Sequence, residues 1–68
     1  MSAGYERIRF GVEGGVATLV LDNPAKRNAF DPVMRVEMAE VVRQVQSDPE
    51  IRALVLTGAG AHFCSGGD

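Results

Sequence analysis

The chain has 68 residues, 46% of them hydrophobic and 24% charged, with seven Lys plus Arg against nine Asp plus Glu. This composition describes one small globular unit and excludes a disordered or fibrous chain. A formal charge of −2 offers no basic field to a nucleic-acid backbone, so nucleic acid is not an expected partner.

No apolar run reaches the length of about 20 residues needed to span a bilayer, so no membrane association is expected either. The opening Met1-Ser2-Ala3-Gly4 runs into Tyr5-Glu6-Arg7 rather than the apolar core of a secretory leader. The expected location is the cytoplasm. One cysteine, Cys64, and one histidine, His62, provide neither an internal disulfide nor a metal-ligand cluster. A chain this short buries only about 60% of its unfolded surface, so its core needs a staple, a partner or further chain.

Ile8, Phe10 and Val12 alternate with Arg7, Arg9 and Glu13, the period-two pattern of a strand with one wet face over about 5–12. Gly14-Gly15 tolerates the positive φ of a tight hairpin, and the nearly all-apolar run 16–21 is the return strand, expected to be buried on both faces. Asp22-Asn23-Pro24 breaks that strand and opens a polar loop over 22–30 that carries Lys26, Arg27 and Asn28. Asp31-Pro32 reads as an N-cap followed by Pro at the first helical position. Met34, Met38, Val41 or Val42, and Val45 then recur at helical spacing, with Arg35, Glu37, Glu40, Arg43 and Gln44 between them. The spacing predicts an amphipathic helix over about 32–47 with those polar residues outward.

Ser47-Asp48-Pro49-Glu50 ends the helix, and the run 53–57 is a further strand. Strand, helix and strand in that order predict a right-handed crossover, with 16–21 and 53–57 parallel. A parallel pair needs cover on both faces and one helix covers one, so apolar sheet is expected to stay exposed.

Residues 58–68 form a glycine-rich segment just past the C-terminal end of the second parallel strand, where open α/β sheets place ligands. Gly58-Ala59-Gly60 lacks the third glycine of a dinucleotide fingerprint, no Gly-Lys-Ser/Thr closes a phosphate loop, and Phe63 stands where a nucleophile elbow needs Gly. Ser65-Gly66-Gly67-Asp68 has capping-box spacing, which would leave the N–H groups of Gly66, Gly67 and Asp68 in a first helical turn, open to a substrate carbonyl. The alternative is that these glycines only turn the chain. Cys64 is two positions from His62, yet no third orienting group is visible, and the residue reads as a small buried hydrophobe. Lys26 and Arg27 read either as a rim for phosphates or as solvated loop charges.

Two blocks carry a resemblance. Leu21-Asp22-Asn23-Pro24-Ala25-Lys26-Arg27-Asn28-Ala29-Phe30 resembles the N-P-x-x-x-N-A-[LF] stretch of the crotonase superfamily, the enoyl-CoA hydratases and isomerases. Leu54-Val55-Leu56-Thr57-Gly58, followed by Phe63-Cys64-Ser65-Gly66-Gly67-Asp68, is similar to that family's strand and F-x-x-G-[AG]-D loop.

The resemblance implies an α/β fold: the first ββα unit of a crotonase-like spiral, the following strand and the Gly-rich loop. Residues 1–68 would form the N-terminal part of a longer crotonase-like domain. It also implies roles: the Gly67 N–H as half of an oxyanion hole for a thioester carbonyl, with Ser65, Gly66 and Asp68 lining the acyl-CoA path. Lys26, Arg27 and Ala29 would lie in the loop that cradles coenzyme A.

Enoyl-CoA hydration or isomerisation is the expected activity, with a naphthoyl-CoA synthase-like enzyme or a non-catalytic CoA-binding or partner-docking fragment as alternatives. Coenzyme A would enter only as part of the substrate, with no separate cofactor and no metal, and the full-length protein would form trimers or hexamers. Asp22, Asp31, Glu37 and Glu40 do not match the family's catalytic carboxylates, so the 68-residue chain alone is expected to be inactive.

Overall fold

The computed structural model describes residues 4–64 and 66. Strand β1, Ile8–Glu13, turns through Gly14 and Gly15 into β2, Val16–Leu21. Both glycines have positive φ, 59° and 81°, as the two-residue turns that suit strand twist require. The hairpin register pairs Ile8 with Leu21 and Glu13 with Val16. After a 3-10 turn at Pro24–Lys26 comes the helix α1, Pro32–Ser47, and then β3, Ala53–Gly58. The strand β3 lies parallel to β2, so the sheet order is β1-β2-β3.

The first strand starts later than the alternation suggests, for a reason visible in its hydrogen bonds. The N–H groups of Glu6 and Arg7 donate to the two oxygens of Glu37, at 2.6 and 2.8 Å, instead of joining the ladder. Glu37 is accordingly buried, 8% exposed, and not one of the outward residues of the helix. Two backbone donors meet its charge and offset the cost of burying it.

The helix begins as its sequence predicts. The Asp31 carboxylate accepts from Met34 N–H at 2.8 Å and Pro32 follows it. Its other oxygen accepts from Arg7 Nε, also at 2.8 Å. The Met34 N–H first, and the Arg7 guanidinium next, hold the Asp31 carboxyl below the usual carboxylate range, while Asp31 in turn raises Arg7.

Ile8 and Phe10 from β1, Ala17, Leu19 and Leu21 from β2, and Met34 and Val41 from α1 form the core. Met38 and Val45 pack against it, and Val42 remains outside, resolving the choice between Val41 and Val42. Each fully buried Leu or Met in this set is worth about 1.5–3 kcal/mol over its exposed state.

The second strand is buried on one face only. Val16 on the far face is 40% exposed, and Thr18 and Val20 are half-buried. No residue of β3 belongs to the core: Leu54, Val55 and Leu56 stay 42–47% exposed. Leu54 and Leu56 sit beside Ala17 and Leu19 in register, so the helical layer stops short of β3 even on the covered side. The expected bare apolar sheet is therefore present. Among the described residues no helix is long and apolar enough to cross a membrane.

Candidate functional site

Parallel pairing sets Leu21 beside Gly58, so the loop after β2 and the glycine-rich loop after β3 leave the sheet at the same end. The ladder runs one step further, through Ala59 N–H to the Leu21 carbonyl at 2.8 Å. The first loop is a compact coil. Asn23 O accepts from Lys26 N–H and Asn28 N–H, Pro24 O from Arg27 N–H, and Lys26 O from Ala29 N–H. Arg27 and Asn28 take left-handed φ values of 53° and 60° in succession. Asn accepts that conformation more readily than most residues.

Asn28 is completely buried, and its amide joins three stretches of backbone. Oδ1 accepts from Asn23 N–H at 2.7 Å. Nδ2 donates to Ala59 O at 2.9 Å and to His62 O at 2.7 Å. The partners themselves fix which way the amide faces, since only an oxygen can meet the N–H and only the NH2 can meet two carbonyls.

Gly58 makes room for this arrangement. A Cβ there would meet His62 O at 2.5 Å and Asn28 Nδ2 at 2.8 Å, besides the Phe63 carbonyl. A last link closes the pair of loops, with Phe30 N–H donating to Gly66 O at 2.9 Å.

The sequence-derived site residues distribute as follows. Lys26 and Arg27 are exposed on the first loop, and Ala29 of the same loop is buried at 8% exposure. Gly66 is exposed and tied to Phe30. Its φ of +101° is not helical, so the first helical turn suggested by capping-box spacing does not begin at Gly66. Its N–H turns back to Cys64 Sγ at 3.3 Å instead. Ser65, Gly67 and Asp68 lie outside the described residues.

Cys64 packs against the core while His62 is exposed, which matches a small hydrophobe and a loop residue at the solvent. Among the described residues no cluster of three or more His, Cys, Asp or Glu is placed to hold a metal.

Asn28 and Gly58 stand inside the two motif blocks, but the motifs assign neither of them a role. The available signals were an Asn at a turn, which carries both a donor and an acceptor, and a Gly closing an apolar strand. The open face at the hairpin end forms a shallow hollow of about 430 Å³ lined by Gly11, Val12, Glu13, Val16 and Thr18. It lies at the other end of the strands from the joined loops and gathers no chemistry.

A family model described as enoyl-CoA hydratase/isomerase matches residues 11–68. The 1,2-epoxyphenylacetyl-CoA isomerase of Escherichia coli (strain K12) is 49% identical over 57 residues, covering 84% of this chain and 22% of that protein. The hydroxycinnamoyl-CoA hydratase-lyase of Pseudomonas fluorescens is 38% identical over 64 residues, covering 94% of this chain and 23% of that one. Among solved structures, an enoyl-CoA hydratase/isomerase from Mycobacterium paratuberculosis superposes with a TM-score of 0.92 at 35% identity, over 96% of this chain and 26% of that chain. The chain thus spans about a quarter of the length of these relatives. Both motif blocks fall within the matched residues, and the ββα unit with its following strand is the part of the fold they share. The chain belongs to the enoyl-CoA hydratase/isomerase family, the crotonase superfamily.

Proposed function

We propose that this chain contributes the oxyanion-hole loop and part of the coenzyme A rim to an enzyme acting on enoyl-CoA thioesters by hydration or isomerisation. The observation that carries the reading is the junction of the two motif loops, through Asn28 and through Phe30 N–H to Gly66 O at 2.9 Å. Motifs separated by a whole helix in sequence meet at one end of the sheet, where open parallel sheets bind ligands.

In this reading the Gly67 N–H donates to the thioester oxygen as charge moves onto it during enolate formation. Such a donor is worth most when it is held in place before the charge develops. The Gly66 carbonyl and the Gly67 N–H belong to one planar peptide unit, so anchoring the carbonyl on Phe30 constrains the aim of the donor. Ser65, Gly66 and Asp68 flank the acyl path, and the exposed Lys26 and Arg27, with the Ala29 backbone, meet the coenzyme A end. Coenzyme A enters as part of the substrate, and the reading calls on no metal.

The acid and base are not assigned to this chain. Asp31 is committed to the helix cap and Arg7, and Glu37 to two backbone N–H groups, which supports keeping both out of the chemistry.

The test is steady-state turnover of crotonyl-CoA by the protein at its native gene length, followed by loss of the enoyl thioester absorbance. Turnover is expected. Inactivity on short enoyl thioesters together with conversion of succinylbenzoyl-CoA replaces the reading with ring formation. Folded protein that turns over neither and fails to bind coenzyme A overturns it.

A further inference from the structure

We infer that Asn28 is a positioning residue: its buried amide locks the loop after β2 to the glycine-rich loop, setting the backbone that presents the Gly67 N–H. This inference rests on the proposed oxyanion role of that loop and adds a residue to it.

The amide is an unusually complete connector. One side chain satisfies Asn23 N–H, Ala59 O and His62 O at 2.7–2.9 Å, with no exposure to solvent. It spans the start of its own loop and two points of the other. Its loss takes the donor from both carbonyls at once at a part-buried junction, and water entering there would not tie the two loops to one side chain.

The surrounding backbone is shaped to receive it. Asn28 itself is left-handed, φ 60°, a conformation that Asn and Gly tolerate and most residues do not. Gly58 lies so close that a Cβ would strike both the amide and the carbonyls beside it. The Phe30 link to Gly66 is two residues beyond Asn28 in the same loop. Releasing the amide therefore loosens, in both loops, the stretch that leads into that contact. The exposed Lys26 and Arg27 stand on that same short coil, so a ligand held there and the geometry of the glycine loop are mechanically joined through Asn28.

Two variants of the native-length protein separate this role from general stability. Asn28→Gly keeps the backbone conformation accessible and deletes the amide. Asn28→Asp keeps the shape and the acceptor for Asn23 N–H but turns an oxygen toward Ala59 O and His62 O. When ionised, the introduced carboxylate repels those carbonyls; when protonated, it can donate to one of them. Burial and the facing carbonyls raise the pKa of that carboxyl into a measurable range.

For Asn28→Gly, kcat on crotonyl-CoA is expected to fall about 100-fold with KM changed less than about threefold, the mark of a donor that matters in the transition state. Amide exchange over residues 59–64 is expected to accelerate at least about tenfold. For Asn28→Asp, the ratio of variant to parent kcat is expected to rise about tenfold from about pH 8 to about pH 5.5. The groups shared with the parent, His62, Cys64, Lys26 and Arg27, cancel in that ratio.

A kcat within about twofold of the parent for Asn28→Gly, or exchange unchanged over 59–64, overturns the inference. If Asn28→Gly does not fold, the pH ratio for Asn28→Asp decides: a flat ratio overturns it. A parent inactive on crotonyl-CoA whose exchange is still accelerated by Asn28→Gly overturns the enzyme reading and leaves the loop connection standing.

Discussion

Arg7 Nε donates to the Asp31 carboxylate across 2.8 Å while the same carboxylate caps α1 through Met34 N–H. The residue that starts the helix thereby also holds the segment leading into β1. Glu37 repeats the pattern further along α1, accepting from the N–H groups of Glu6 and Arg7.

The shifted Asp31 makes stability depend on acid. Its folded-state pKa is depressed, first by Met34 N–H and then by Arg7, so its contribution is fully present above the ordinary carboxylate pKa of about 4. That contribution is lost as pH falls through the lower folded value, because the unfolded chain then binds the proton more readily. The thermal midpoint of the native-length protein should exceed that of its Asp31→Asn variant at neutral pH, with the gap closing below about pH 4. A gap that is constant with pH speaks against this.

Glu37→Ala removes the acceptor of two backbone N–H groups at once. A destabilisation of about 2–3 kcal/mol is expected, in the range of hydrogen bonds to a charged partner. Glu37→Gln, which keeps one acceptor oxygen, should recover about half. Denaturant unfolding of the three proteins measures both, and an Ala variant as stable as the parent rejects the assigned role.

Gly58→Ala should disturb the glycine loop without touching the helix. Its Cβ would collide with the His62 and Phe63 carbonyls and with Asn28 Nδ2, most of them backbone atoms that cannot rotate away. A cost of about 1–3 kcal/mol is expected for such overpacking. Faster amide exchange confined to 59–64 checks its location.

The bare strand predicts association. Leu54, Val55 and Leu56 are 42–47% exposed on an edge strand, the arrangement that invites pairing with another chain. The 68-residue chain by itself should sediment as a concentration-dependent mixture, and Val55→Lys should shift it toward monomer. A sharp, reversible, concentration-independent thermal transition would refute this expectation.

The elements were legible because each follows a local rule. Alternation marked β1, paired glycines marked the turn, and Asp31-Pro32 with three- and four-residue spacing marked α1. What escaped depends on partners distant in sequence. A helical spacing pattern places Glu37 outward because it registers charge and not the two N–H groups waiting near β1.

An apolar run promises burial for β2 on both faces, but cover comes from neighbouring layers, and α1 supplies one. Ser65-Gly66-Gly67-Asp68 fits a helix start by spacing, yet the φ of Gly66 and its tie to Phe30 belong to a loop junction. Asn28 stood inside a recognised motif, but its work became visible only when Ala59 and His62 arrived beside it. The joined loops of the candidate site were thus readable as two motifs and not as one structure.

Stabilisation of a thioester enolate by the Gly67 N–H is decided by a pair of substitutions in the native-length protein. Gly67→Ala retains the donor and Gly67→Pro deletes it. With crotonyl-CoA, kcat is expected to stay within about tenfold of the parent for Ala and to fall about 100–1000-fold for Pro, at comparable thermal stability. A folded Gly67→Pro protein that turns over like Gly67→Ala would rule out the oxyanion role.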